Sequence, residues 1–323
     1  MWAQCLVAPG RFEKAEVPDL TAADVPDGHV LLRTLAGGIC GSDLPAFRGG
    51  AFAHPRDGGG LIGRVPGLPM HEVAGEVTVS RHPAHAAGDL VVGWASRFDG
   101  IAQYAVCDGE GLIGYDTALP PTAAITVQPL ACVLYAAEQL PGIAASRAAV
   151  LGQGPIGLLF SHVLHDRGAT VTGVDRVDRA SHAAVFGVSE AVHASADRWA
   201  ASLAAADRPQ LVVEAIGHQV ASLRVALEAA AFGGSVFYFG VPDDETYPVS
   251  MLTLFRKNLT LRAGWTMDRY RVLQEAVRYL AAHPGLAEAY VSHVYKADEA
   301  QTAFEAACQP KAGQYKVVLD MTA

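Results

Sequence analysis

Ala148-Ala149-Val150-Leu151-Gly152-Gln153-Gly154-Pro155-Ile156-Gly157-Leu158-Leu159-Phe160 passes without a break from four apolar residues, through three glycines, into a second apolar segment. The pattern reads as a buried strand, a tight turn and the first turn of a helix. Gly152 lets the chain turn sharply, Gly154 lets backbone approach a pyrophosphate, and Gly157 lets helix and strand pack closely. Pro155 and Ile156 complete this candidate dinucleotide-binding turn, and the helix N-terminus that follows faces phosphate charge. The next strand ends about twenty residues on at Asp175, where a carboxylate can accept hydrogen bonds from both hydroxyls of an adenosine ribose; this favours NAD over NADP. Arg176 and Arg179 follow at once, and an arginine there could instead meet a 2′-phosphate. The bland alternative is a Gly-rich turn that holds no nucleotide.

Working outward, compact apolar runs at 148–151, 170–174, 210–213 and 235–239 alternate with Ala-rich helical stretches, which predicts parallel strands covered by helices. The preceding part of the chain is rich in Gly and Pro, with short Val/Leu runs at 29–35, 73–79 and 89–92, and reads as β-rich. Beyond Leu261 the pattern is mixed: helices are expected over 270–283 and 297–307 and a strand over 316–319. A run of 323 residues is long for one core, so the reading is a two-domain α/β protein.

Hydrophobic residues make up 51% and charged residues 18%, a globular balance that argues against extended disorder. The formal charge of -9 leaves no excess of cations for a nucleic-acid backbone or an anionic membrane. There is no leader-like N-terminus and no apolar run of membrane-spanning length, so a cytoplasmic location is expected. Five scattered cysteines, with no CxxC pair, fit a reducing compartment and exclude a four-cysteine zinc knuckle. A Gly58–Gly60 run marks a loop.

A second constellation lies in the β-rich part. Gly38-Ile39-Cys40-Gly41-Ser42-Asp43 gathers a thiol, a hydroxyl and a carboxylate, and His71-Glu72 stands at the entrance of an apolar strand. A thiolate and an imidazole from separate segments can hold zinc and leave a position open for substrate. Taken singly, a buried Cys and a hydrogen-bonded His would be the ordinary reading. His82 and His85 have tempting spacing but are read as solvated loop residues.

Together these motifs resemble the medium-chain dehydrogenase/reductase superfamily, in its zinc-dependent alcohol and polyol dehydrogenase branch. GICGSD at 38–43, HEVAGEV at 71–77, Gly88-Asp89, QPLA at 128–131, the glycine turn, Gly240-Val241-Pro242 and KVVLD at 316–320 stand in family order along nearly the whole chain. The resemblance implies a GroES-like catalytic domain over 1–122 and 264–323, a Rossmann NAD-binding domain with a doubly wound parallel sheet over 123–263, and a cleft between them. It implies zinc on Cys40 and His71, with Glu72 binding directly or by exchange with water and Asp43 supporting from behind. Ser42 would meet the substrate oxygen and pass its proton outward, with His54 completing the relay. Val241 would line the nicotinamide and Trp94 the substrate pocket. A homodimer or homotetramer joined through the sheet edge near 235–241 is also implied.

Two departures matter. The lobe that carries four cysteines for a structural zinc is missing, so at most one zinc is expected. Gln128 stands where polyol and threonine dehydrogenases usually show Glu and alcohol dehydrogenases show Cys. A neutral amide offers only a carbonyl dipole, so Gln128 is expected to reach the metal weakly or through water. The leading expectation is NAD-dependent oxidation of a secondary alcohol: a polyol, sugar, cyclitol or amino alcohol. The alternatives are a zinc-free enone or quinone reductase of the same superfamily and a nucleotide-binding protein without catalysis.

Overall fold

The computed structural model describes residues 1–50, 65–242 and 244–322. The N-terminal part is built from short strands, as its apolar runs broken by Gly and Pro predict: β1 (Trp2–Ala8), β2 (Arg11–Glu16), β3 (His29–Gly38), β4 (Glu72–Ser80), β5 (Leu90–Trp94), β6 (Tyr104–Asp108) and β7 (Leu112–Gly114). The middle supplies β8 (Arg147–Leu151), β9 (Thr170–Asp175), β10 (Val188–His193), β11 (Leu211–Glu214), β12 (Ser235–Tyr238) and β13 (Thr260–Ala263). The C-terminal part adds β14 (Val291–Lys296) and β15 (Lys316–Asp320).

Two compact units result. One comprises Met1–Ala131, Asp268–Pro310 and Gln314–Ala323; the other comprises Cys132–Met267 and Lys311–Gly313. The division falls inside the helix Val127–Glu138.

In the first unit a seven-stranded sheet runs β14-β15-β3-β4-β5-β7, with β6 also pairing β3. Its pairs are antiparallel except for β14 with β15. The C-terminal strand β15 is therefore the neighbour of β3, whose last residue, Gly38, opens the GICGSD segment. Phe12, Phe47 and Phe304 form a cluster with ring centroids 5.0 to 5.4 Å apart. Each is 8% exposed or less, and burying such rings contributes about 2–3 kcal/mol apiece. The cluster ties the short helix Leu44–Phe47, directly after GICGSD, to the helix Ala300–Ala307.

In the second unit the order is β10-β9-β8-β11-β12-β13 and every pair is parallel. The connection from β8 leads to one side and that into β11 to the other, so the sheet is doubly wound with its switch between β8 and β11. Ligands in such sheets bind beyond the strand C-termini at that point. The core is made by Ala149, Leu151, Val212, Leu227 and Val236, each 2% exposed or less, packed with Trp199.

Two expectations require correction. The segment 235–241 is not a sheet edge, because β12 pairs with β11 on one side and β13 on the other; the edge on that side is β13. His82 and His85 are not solvated. His85 is buried with Nε2 at 2.9 Å from the Gly109 carbonyl, and His82 Nε2 lies 3.2 Å from Glu110 Oε1. The turn Gly109–Gly111 folds back over both rings, a contact that loop composition alone does not encode.

Candidate active site

Three residues from two stretches of the first unit meet around one point, with Asp43 behind two of them. Cys40 precedes the 3-10 turn Gly41–Asp43, His71 precedes β4, and Glu72 is its first residue. One ligand atom from each of Cys40, His71 and Glu72 lies within 4.8 Å of the others, a spacing one ion can bridge. Asp43, fully buried, locks the first two: Oδ2 accepts from the Cys40 amide at 2.8 Å and Oδ1 meets His71 Nδ1 at 2.8 Å. That contact commits Nδ1 and leaves Nε2 as the ligand atom, the usual carboxylate support for a metal-binding histidine. Burial alone would pull the His71 pKa down, but the charge and hydrogen bond of Asp43, with Cys40, hold it well above the ordinary value.

Glu72 is fully buried, and its Oε1 has no partner among the described residues while Oε2 pairs with Lys316. An unpartnered buried carboxylate oxygen is costly unless something binds there, so this donor set fits a divalent ion with Cys and His preference. Gln128, 2% exposed, lies in the first turn of the helix Val127–Glu138. Ile125, three residues earlier, touches the position a Gly38 side chain would fill, beside Glu72 Oε2. Ser42 is half-buried in the turn after Cys40. Trp94 is directly opposite Glu72 in the β4–β5 register, which puts both side chains on one face of the sheet, and the Arg269 guanidinium lies 5.1 Å over its ring. His54 lies outside the described residues.

In the second unit, the glycine turn joins β8 to the helix Pro155–Asp166, with Gly154 at the N-cap and Pro155 and Ile156 in the first turn. A side chain at Gly157 would meet the Gly152 carbonyl at 1.8 Å, so strand and helix can approach only through glycine. Asp175 ends β9 with its carboxylate on the turn: Oδ2 accepts from the Gln153 amide at 2.7 Å and Oδ1 from Val177 at 2.7 Å. Arg176 is exposed, whereas Arg179 is buried, with Nε 3.8 Å from Asp175 and Nη1 donating to the Lys311 carbonyl. Val241 is half-buried, and its carbonyl accepts from His218 at 3.2 Å.

Two residues in these sites escaped sequence reading. Lys316 is hidden in an apolar C-terminal strand. Glu214 ends β11 as the final residue of an apolar run, where a chain terminus of a strand gives no sign of its role. Its buried Oε1 accepts from the Ile216 and Gly217 amides, both at 3.1 Å, which shapes the turn next to Val241.

Residues 26–128 match the alcohol dehydrogenase GroES-like domain and residues 155–282 match the zinc-binding dehydrogenase domain. The chain is 30% identical to D-altritol 5-dehydrogenase of Agrobacterium fabrum, over 83% of this chain and 85% of that protein. It is 24% identical to D-arabinitol dehydrogenase 1 of Uromyces fabae, over 91% and 92%. Alcohol dehydrogenase TADH from Thermus sp. ATN1 superposes with a TM-score of 0.80 at 25% identity, covering 99% of this chain and 100% of that one. The chain is a medium-chain dehydrogenase of the zinc-dependent alcohol and polyol branch. As such it is an alcohol dehydrogenase, an oxidoreductase that moves a hydride between a secondary alcohol and a nicotinamide cofactor and uses a catalytic zinc. Among the described residues, no helix of this dehydrogenase is long and apolar enough to cross a membrane.

Proposed function

We propose that this dehydrogenase oxidises a polyol or a related sugar alcohol with NAD, on a site whose zinc is held by Cys40, His71 and Glu72. The observation that carries the reading is the meeting of these three donors with Asp43 fixed behind two of them. Bound there, zinc supplies Lewis acidity to the substrate oxygen. Asp43 keeps His71 in the ligating tautomer and holds the Cys40 backbone in place. Ser42, one turn from Cys40, accepts the hydroxyl proton of the substrate and passes it on, a role in which His54 is its partner. Gln128 completes the pocket wall as a neutral, weak donor, and Trp94 lines the side of the pocket nearest Glu72.

On the second unit, Gly152, Gly154, Pro155, Ile156 and Gly157 form the pyrophosphate cradle and Asp175 holds the adenosine ribose. NAD is favoured because the Asp175 carboxylate already stands at the glycine turn, while Arg179 is drawn into a contact with Lys311. Arg176, exposed beside Asp175, borders the adenosine, and Val241 borders the nicotinamide. By this reading 1–122 and 264–323 form the catalytic domain and 123–263 the cofactor domain. The polyol class rests on the altritol and arabinitol dehydrogenases it resembles. The retained Cys40, His71 and Glu72 argue against a zinc-free reductase, which has no use for them. None of the five cysteines forms a disulfide among the described residues, which suits a cytoplasmic enzyme. We also place a homodimer contact on the β13 edge, where Phe255, Trp265 and Met267 are exposed.

The experiment is zinc content on protein purified without chelator, paired with NAD reduction across a panel of polyols. Near-stoichiometric zinc with turnover of at least one polyol is expected. Protein that binds NADH yet carries no zinc and oxidises no alcohol would overturn the reading in favour of a non-catalytic nucleotide binder.

A further inference from the structure

Lys316, the first residue of β15, is among the most deeply buried side chains of the molecule, at 0% exposed. Its ammonium donates to the Ile39 carbonyl at 3.0 Å and pairs with Glu72 Oε2, also at 0% exposure. The pair has room only because residue 38 is glycine. A Cβ there would stand 2.4 Å from Glu72 Oε2 and 3.0 Å from Lys316 Cε. Register explains the meeting: Val318 lies opposite Gly38, Gly38 lies opposite Glu72, and Lys316 projects from the same face as Val318, two residues away.

A carboxylate buried as completely as that of Glu72 is strongly destabilising as an unpaired charge, so its ionised form calls for a cation. Glu72 therefore faces two candidates, Lys316 on one oxygen and the metal on the other. We propose that Lys316 is the resident counter-cation of the metal pocket: it neutralises Glu72 when no metal is bound and thereby sets how tightly zinc is held. The inference rests on the reading of Cys40, His71 and Glu72 as metal ligands. Lys316 keeps the empty pocket assembled and weakens metal binding in the same act, because the ion must share Glu72 with it and enter beside a positive charge. The effect is large in this chain because Gln128 brings no charge, which leaves the Cys40 thiolate and Glu72 as the anionic donors of the set.

The test uses the full-length protein in two readouts that do not involve turnover: the Tm of chelator-treated protein, and zinc affinity by competition with a chromophoric chelator. In Lys316→Met the metal-free Tm should fall while zinc binds about tenfold more tightly or better, so that added zinc raises Tm by more than in the wild type. Unchanged or weaker zinc binding in this variant would reduce Lys316 to a structural role and overturn the proposal. If Lys316→Met does not fold, the comparison of Glu72→Gln with Glu72→Gln/Lys316→Met carries the test. Removing the lone cation should again tighten zinc binding by about tenfold, and equal affinities would overturn the proposal. Zinc binding that is absent from the wild type, or untouched by Cys40→Ser, would instead refute the metal site itself.

Discussion

Asp99 shows how a single side chain outside the chemistry sets a pH dependence. It is buried, its Oδ1 has no partner among the described residues, and Arg97 Nε is 3.8 Å from its Oδ2. Burial raises its pKa from 3.8 to about 6, with Arg97 opposing. A carboxyl whose pKa is higher in the folded state holds its proton there more tightly, so folding stability falls as pH rises from about 4 through about 6. Asp99→Asn should stabilise the protein at pH 8 by about 1–3 kcal/mol and be nearly neutral at pH 4, as read by urea unfolding at the two values. Equal effects at both would remove the titration from the account. The candidate ligands Cys40, His71 and Glu72 were legible in sequence because each sits in a short motif. The bond from Asp43 to His71 spans 28 residues and that from Lys316 to Glu72 spans 244, and no local pattern records either.

Among the elements, those beside the glycine turn were the most legible. The strand expected at 148–151 runs Arg147–Leu151 and that at 170–174 runs Thr170–Asp175, because strands buried on both faces read as uninterrupted apolar runs. The strands β10 and β14, with sequences VSEAVH and VSHVYK, were missed. Each has mostly partly buried or exposed residues at the margin of its sheet, so the apolar signal is diluted. Helix 270–283 was found almost to the residue as Arg269–Ala282. The joint between β8 and its helix yields a sharp expectation. Gly157→Ala should cost about 2–3 kcal/mol of stability by forcing a methyl group against the Gly152 carbonyl. It should also weaken NADH binding by about tenfold or more, measured by fluorescence titration, since the turn proposed to hold the pyrophosphate is displaced. Wild-type affinity in a folded variant would detach the cofactor from this turn.

For the whole molecule, the open question that the sheet poses is its free edge. β13 is the last strand of its order, and Phe255 at 80%, Met267 at 77% and Trp265 at 54% exposure accompany it. An edge strand with apolar neighbours is a template for pairing, and a two-fold axis lets the same patch meet itself. The wild type should sediment as a dimer or larger, and Phe255→Glu combined with Met267→Glu should sediment as a monomer with Tm reduced. A monomeric wild type would rule out the contact. The resemblance places the edge near 235–241, one strand too early, because β13 (TLRA) is too short and too polar to announce itself.

The sequence alone determined the α/β class, the glycine turn proposed to hold the pyrophosphate, and the family, because each depends on residues close together in the chain whose spacing is itself the geometry. Folding in three dimensions decided the rest. It brought a C-terminal lysine onto Glu72, buried His85 beneath a turn and chose which strand ends the parallel sheet. These outcomes follow from strand pairing between distant segments, and pairing energy is spread over many backbone bonds and apolar contacts rather than written in any one motif. The candidate metal pocket lies on the border between the two. Its donors are local motifs, whereas the charge that balances them arrives from the other end of the chain.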